Sequence, residues 1–331
     1  MSVVACSIFA AISGSTPATA AAVGSITIPE MEKRGYDRSY ASAVVAASGC
    51  LGVIIPPSIT MVLYGVTANV SVGQLLLGGL IPGIWLAVLL CIVNYFFSKK
   101  LGYPTGKKYS AAEKWKAFKS AFWAILMPVI ILGGIMTGVF TPTESACVAV
   151  IYGFICGFWI YGELKLKDIV PLMYKAALNS GMIVVLISVA NAFGFVLAMN
   201  QVPAMVSTWL LGLTANKYVL FFLIFVLYML LGCIMETSAI ILLVVPIMAP
   251  AITSLGIDPL HFGVVTVCAL ATGMATPPVG ISLFATCSIS KVTMGQISSK
   301  VWPFLLAMIF GLLVMILVPE LSVWLPKLLM G

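Results

Sequence analysis

Residues 49–58 read GCLGVIIPPS and residues 271–280 read ATGMATPPVG, each placing a Pro-Pro pair inside an apolar stretch. Proline removes a backbone donor and clashes with the preceding turn, so each pair unwinds the helix that carries it. Unwinding frees carbonyl oxygens. A plainer reading is a kink, with the glycines only letting helices approach closely. Each break, however, follows a polar tip in the chain, SGSTPA at 13–18 and GCIMETSA at 232–239.

Those pairs belong to a longer register. At an offset of 221 positions Thr16 meets Thr237, Ala18 meets Ala239, Pro29 meets Pro250 and Gly35 meets Gly256. Asp37 likewise meets Asp258, Gly52 meets Gly273, and Pro82 meets Pro303; one residue out of step, Gly73-Gln74 meets Gly295-Gln296. A chain this apolar supplies chance matches among apolar residues, but not a set of Gly, Pro and Asp that shapes a backbone. The reading is an internal duplication.

Composition identifies the solvent. The 331 residues are 62% hydrophobic and 8% charged, where a soluble domain carries roughly 25% charged residues. In hydrocarbon every backbone polar group needs an internal partner, which leaves helices or a closed barrel. Barrel strands alternate at period 2, whereas 121–136 and 304–318 are continuously apolar, so helices are expected. The net charge of +7 comes mostly from short loops between apolar segments, a topology signal rather than a nucleic-acid surface. The eight cysteines form no CxxC pair and sit mainly in apolar runs as packing residues. No HExxH, phosphate loop or GxSxG is present, and the single histidine excludes a His-pair site. No enzyme is expected.

Charge also orients the copies. Loop 98–119 carries seven lysines and reads as cytoplasmic; loop 29–38 holds Lys33, Arg34 and Arg38, while its counterpart 250–259 has no Lys or Arg. By the positive-inside rule the copies face opposite ways, with the C-terminus periplasmic. The expected architecture is an all-α polytopic membrane protein with an inverted-topology repeat. It has two re-entrant helical hairpins with arms of 11–15 residues and two broken helices, 39–70 and 259–290. Its divisions are a first repeat at 1–97, a basic loop with two connecting helices (about 121–138 and 145–161) at 98–170, and a second repeat at 171–331.

The chemistry is expected at the tips and breaks. Freed carbonyls with Ser and Thr hydroxyls are hard oxygen ligands for Na⁺, and arm N-termini offer N–H donors to an anion. Discontinuous helices near the midplane of an inverted repeat are a recurring transporter site. Glu236 reads either as a functional intramembrane acid or as the N-cap of the following arm. Asp37 and Asp258 read as turn or capping residues, Glu144 as a cap, and His261 as a helix-start or interfacial residue rather than a proton relay.

The segments SGSTPATAAAVGSI (13–26), LGVIIPPS (51–58), ESA (144–146) and DPLHFGVV followed by ATPPVG (258–280) resemble one family. It is the large membrane subunit of tripartite ATP-independent periplasmic (TRAP) transporters, C4-dicarboxylate permease type. The resemblance covers essentially the whole chain. It implies an elevator-type Na⁺ symporter of the ion-transporter superfamily in the bacterial inner membrane, with no cofactor beyond Na⁺ as coupling ion. Implied partners are a small four-helix membrane subunit and a periplasmic solute-binding protein; no nucleic acid is implied. The binding protein would deliver a C4-dicarboxylate, a sialic acid or a similar carboxylate.

In proteins similar to this one, sodium sits between each tip and the neighbouring unwound helix. Carried over, one site takes Gly232, Glu236, Thr237, Gly273, Thr276 and the backbone at Val279. The repeat register nominates Ser13, Ser15, Thr16, Gly52, Ile55 and Ser58 for the other. Ile55 stands where the second copy has Thr276, so only its carbonyl serves there. The tip residues Ser15, Thr16, Thr237 and Ser238 are implied for substrate.

Rival readings are a receptor-independent anion symporter of the same superfamily and a channel-like or structural membrane protein. Position 1 matches Phe222, inside the first arm of the second hairpin, and the crossing helix 176–198 has no counterpart. The chain is therefore expected to be N-terminally incomplete and not to transport unaided.

Overall fold

The computed structural model describes residues 1–104, 110–213, 216–254 and 256–331. Lys107 and Lys108 of loop 98–119, and Leu255 of 250–259, lie outside the described residues. The described residues form fifteen α-helices and no strand. Five helical segments are long and apolar enough to cross a membrane, with 19 to 34 residues each, against the roughly 20 that a bilayer core of ~30 Å requires. The chain is a multipass helical membrane protein.

Helices α1 (Ser2–Ser13) and α2 (Thr16–Lys33) form a packed hairpin. Gly14 turns it at φ 62°, the left-handed C-cap that a glycine adopts without steric cost. Helix α3 (Arg38–Gly49) starts at Asp37, whose side chain accepts from Ser39 N at 2.9 Å. It tightens into a 3-10 turn at Cys50–Val53 and stops before Pro56-Pro57; α4 (Ile59–Ala68) resumes beyond. Then come α5 (Val72–Lys100), α6 (Ala111–Met136) and α7 (Pro142–Ile155), the last running into a π-helical turn at Cys156–Ile160. Glu144 closes a capping box with Thr141 at the start of α7.

The second half contains α8 (Leu166–Met199), α9 (Val202–Leu213), α10 (Lys217–Ile234) and α11 (Thr237–Ser254). Next is α12 (Pro259–Met274), capped by Asp258, then the break at 275–280 and α13 (Ile281–Ser290). Helices α14 (Met294–Leu317) and α15 (Glu320–Met330) complete the chain.

The broken helices are the core. From Leu260 to Met274 every residue of α12 is buried, and so is Tyr40–Gly49 of α3. By contrast α6, α7 and α8 bury one residue each, Ile135, Ser145 and Ala190. A helix apolar all round has to be covered by core, lipid or another chain; α12 is covered by this chain, whereas α6, α7 and α8 leave most of their apolar surface exposed. The halves interlock. Helix α4 lies on α11 and α12, where the Tyr64 ring covers Gly263 and its hydroxyl donates to Pro259 O at 3.2 Å. Helix α13 lies on α2 and α3, where Ser282 donates to Ala46 O at 2.6 Å.

Two expectations need correction. The hairpin arms α2, α10 and α11 are 18 residues each, not 11–15. Apolar length underestimates them because polar ends extend the helices: α2 continues through Pro29 with an Arg34–Glu30 ion pair of 2.7 Å one turn apart. The second hairpin is also splayed. Helix α11 packs on α4, α8 and α9 and scarcely touches α10, whose Phe221, Tyr228 and Gly232 lie against α12. The residues around Pro203 and Trp209 and those of the C-terminal tail are also helical, as α9 and α15. Ser322, Val323 and Pro326 of α15 are buried, with α15 packed on α5 and α12.

Candidate functional site

Each break is held by the tip that precedes it in the chain. At the first, a Cβ on Gly14 would stand 2.8 Å from Pro57 O, so the tip turn rests on the proline pair. A Cβ on Gly52 would stand 2.5 Å from Ser15 O and 2.6 Å from Thr19 Oγ1. Only glycine lets the unwound segment come that close to the tip backbone. Ser13 and Thr19 share a hydrogen bond of 2.6 Å across the start of α2. Thr16 Oγ1 is fully buried and meets no partner among the described residues. Ser13, Ser15 and Thr19 thus bring hydroxyl and carbonyl oxygens together beside Gly52, with the buried Thr16 next in the chain to Ser15.

Ser58 and Ile55 hold the break itself. The Ser58 hydroxyl donates to Val53 O at 2.6 Å and accepts from Met61 N at 3.2 Å, bridging the unwound stretch and capping α4. The Ile55 side chain lies over Gly83 of α5, leaving its carbonyl as the only polar group it offers.

The second site is assembled on glycines too. Helices α10 and α12 run side by side in the same direction. Phe221 stacks edge-on to His261 near one end, and a Cβ on Gly232 would stand 2.7 Å from Leu270 O near the other. A Cβ on Gly273 would stand 2.5 Å from Met229 O. Past the break, Gly280 N donates to Cys233 O at 3.0 Å, and Cys233 Sγ donates to Thr276 O at 3.1 Å. Gly280 has φ 49° and lies against Met274 O and Thr276 O, where a side chain would collide. Thr276 Oγ1 donates to Thr272 O at 2.9 Å.

The structure divides the residues named for this site. Gly232, Gly273 and Thr276 meet at the α10–α12 contact, and Val279 is 45% exposed beside it. Glu236, Thr237 and Ser238 form a cluster of their own. Glu236 accepts from Ser238 N at 2.7 Å, Ala239 N at 3.2 Å, Thr237 Oγ1 at 3.1 Å and Ser238 Oγ at 3.0 Å. That geometry is an N-cap of α11, the capping alternative stated above for Glu236.

Thr19, Cys233 and Gly280 escaped the sequence reading. Thr19 lies one helical turn beyond the tip at Ser15 and Thr16, a spacing that puts it on the same face; Cys233 and Gly280 become neighbours only through the fold. Among the described residues no three His, Cys, Asp or Glu side chains come together. The polar atoms gathered at the breaks are carbonyls and hydroxyls, ligands suited to a hard cation rather than a transition metal.

The family model described as "Tripartite ATP-independent periplasmic transporter, DctM component" matches residues 1–321. The chain is 40% identical over 320 residues to the isethionate TRAP transporter permease protein DctMQ of Oleidesulfovibrio alaskensis, covering 96% of this chain and half of that protein. It is 36% identical over 341 residues to the C4-dicarboxylate TRAP transporter large permease protein DctM of Rhodobacter capsulatus, covering 99% of this chain and 78% of that one. With the sialic acid TRAP transporter large permease protein SiaM of Vibrio cholerae it shares 34% over 331 residues, covering 100% of this chain and 78% of the relative.

Proposed function

Given that the chain belongs to the DctM-component family of tripartite ATP-independent periplasmic transporters, a transport family rather than an enzyme family, we propose that it carries a small organic anion across the bacterial inner membrane by Na⁺ symport. The relatives are named for a C4-dicarboxylate, a sialic acid and isethionate, whose shared chemistry is a small anion bearing a carboxylate or sulfonate. Delivery by a periplasmic solute-binding protein and assembly with a small membrane subunit complete the proposal. The inverted repeat, with divisions at 1–97, 98–170 and 171–331, and elevator movement belong to it as well. The crossed packing of α4 on α11 and α13 on α2 supports the repeat.

The observation that carries the sodium assignment is the first tip. Ser15 O and Thr19 Oγ1 face Gly52 at near-contact distance, and Thr16 Oγ1 is buried without a partner. A buried hydroxyl without a partner costs about 1–3 kcal/mol, which a bound cation would offset. A tenfold Na⁺ gradient supplies about 1.4 kcal/mol per ion. Two Na⁺ with a dianion are electroneutral and yield about 2.8 kcal/mol, roughly 100-fold accumulation. Each net positive charge added gains about 2.3 kcal/mol per 100 mV of membrane potential.

The test is uptake into proteoliposomes holding the chain and its partner subunits, with and without Na⁺ and binding protein. Thr276→Ala and Ser58→Ala are expected to raise the Na⁺ concentration needed for half-maximal uptake. Unchanged Na⁺ dependence in both would overturn the assignment. Uptake that ignores the binding protein would favour the receptor-independent alternative.

A further inference from the structure

The first turns of α6 have no protein packed around them. Every residue from 110 to 120 is exposed, whereas most of 121–136 is partly covered. At 1.5 Å per residue the 26 residues of α6 run about 39 Å, against a hydrocarbon core of ~30 Å. One end therefore lies at the level of the headgroups. Charge selects that end: Lys114, Lys116 and Lys119 all lie in the exposed turns, and 120–136 carries no charged residue.

The exposed turns are apolar as well as basic. Trp115, Phe118 and Phe122 fall at i, i+3 and i+7, one stripe of the helix, with successive ring centroids 5.7 and 6.2 Å apart. Lys116 and Lys119 follow on one flank of that stripe and Lys114 on the other. The only acid of the segment, Glu113, is taken by the capping box, where it accepts from Ser110 N at 2.7 Å. Neither ion pair among the described residues includes these lysines. Another apolar helix could cover the rings, but it would leave three ammonium groups without countercharge. Rings on one face and lysines beside them are the pattern of a helix lying in the membrane interface. Where the segment meets the span, the Tyr161 hydroxyl takes the rung between Ser120 O and Ala124 N, an insertion that lets a helix bend there.

We infer that the start of α6 is a binding surface for an anionic phospholipid. The rings of Trp115, Phe118 and Phe122 enter the boundary of headgroups and acyl chains, and the three lysines reach the phosphate with their ammonium groups. A net negative lipid is favoured over a zwitterionic one, because a choline headgroup brings a positive charge of its own to the same place. The inference rests on the membrane character of α6 and is independent of the sodium assignment.

Ala112 is exposed and falls between Lys116 and Lys119 around the helix, so a label there reads the lipid beside the lysines. The test uses Ala112→Cys carrying the fluorophore NBD, in a background with the native cysteines replaced, in phosphatidylcholine nanodiscs with and without the small membrane subunit. Doxyl-labelled phosphatidylglycerol is expected to quench NBD about threefold or more as efficiently as doxyl-labelled phosphatidylcholine. Raising the salt from about 0.15 M to about 1 M, which shortens the Debye length from about 8 Å to about 3 Å, should remove that preference. Lys114→Gln, Lys116→Gln and Lys119→Gln together should remove it too, with quenching by phosphatidylcholine unchanged. Trp115→Ala with Phe118→Ala should weaken quenching by both lipids. Equal quenching by the two lipids at the lower salt, or a preference that survives the triple glutamine substitution, overturns the proposal. So does loss of quenching by both lipids once the small subunit is bound, since a protein then covers the segment.

Discussion

Glycines at the breaks are placed by contact, and that makes them testable one at a time. A methyl on Gly52 or Gly273 would press on Ser15 O or Met229 O at 2.5 Å. Overpacking of this kind costs about 1–3 kcal/mol, and here it also pushes the tip off the break. Gly52→Ala and Gly273→Ala are expected to lower the melting temperature in detergent and abolish uptake. Gly295→Ala is the control, since nothing lies within 4 Å of its added carbon. Equal behaviour of all three would refute close seating of the tips. Glu236 is a second single-residue case, because its carboxylate already holds two N–H groups and two hydroxyls. Glu236→Asp, a good N-cap, should preserve Na⁺ dependence, whereas Glu236→Ala should cost about 0.5–2 kcal/mol of stability. Loss of Na⁺ dependence in Glu236→Asp would show that the acid acts on the ion and not on the helix alone.

The element with the least expected construction is the α6–α7 pair. Tyr161, just past the π-helical turn of α7, takes Ala124 N at 3.2 Å and donates to Ser120 O at 2.9 Å. Its hydroxyl thus occupies one rung of the α6 ladder, and Tyr152 donates to Trp123 O at 2.8 Å on the next residue. One turn on, Pro128 offers no N–H to Ala124 O. A side chain inserted into the ladder, a proline and a π-bulge are each recognised causes of helix bending. All three meet within this pair. Tyr161→Phe removes two hydrogen bonds, each worth about 0.5–1.5 kcal/mol. Hydrogen exchange in the 120–128 segment should quicken; exchange at the unaltered rate would mean that α6 closes the rung by itself.

For the whole molecule the decisive question is orientation. An inverted repeat places segment 98–119, which runs into α6, and segment 250–259, which begins in α11, on opposite sides of the membrane, since lysines gather in the first and not in the second. Lys114 and Thr253 are both exposed in the fold. In a background with the eight native cysteines replaced, Lys114→Cys should resist an impermeant thiol reagent added outside, and Thr253→Cys should react. Labelling of both from the outside would refute the inversion, and the midplane site would lose its symmetry argument.

The amino-acid sequence by itself determined the solvent, the helical class and the places where helices stop. Each follows from local rules: a missing charge quota, a missing proline N–H, a left-handed turn that suits glycine. It also marked Gly52 and Gly273 through the shared register. Only the tertiary structure decided which surfaces those helices present to one another. Periodicity cannot signal burial when every face is apolar, so α12 in the core and α8 outside look equally hydrophobic in sequence. Nor did the sequence place Thr19 at Gly52, Cys233 at Thr276 or Ser322 at His261. Those contacts join residues whose spacing carries no local signal, and packing alone brings them together.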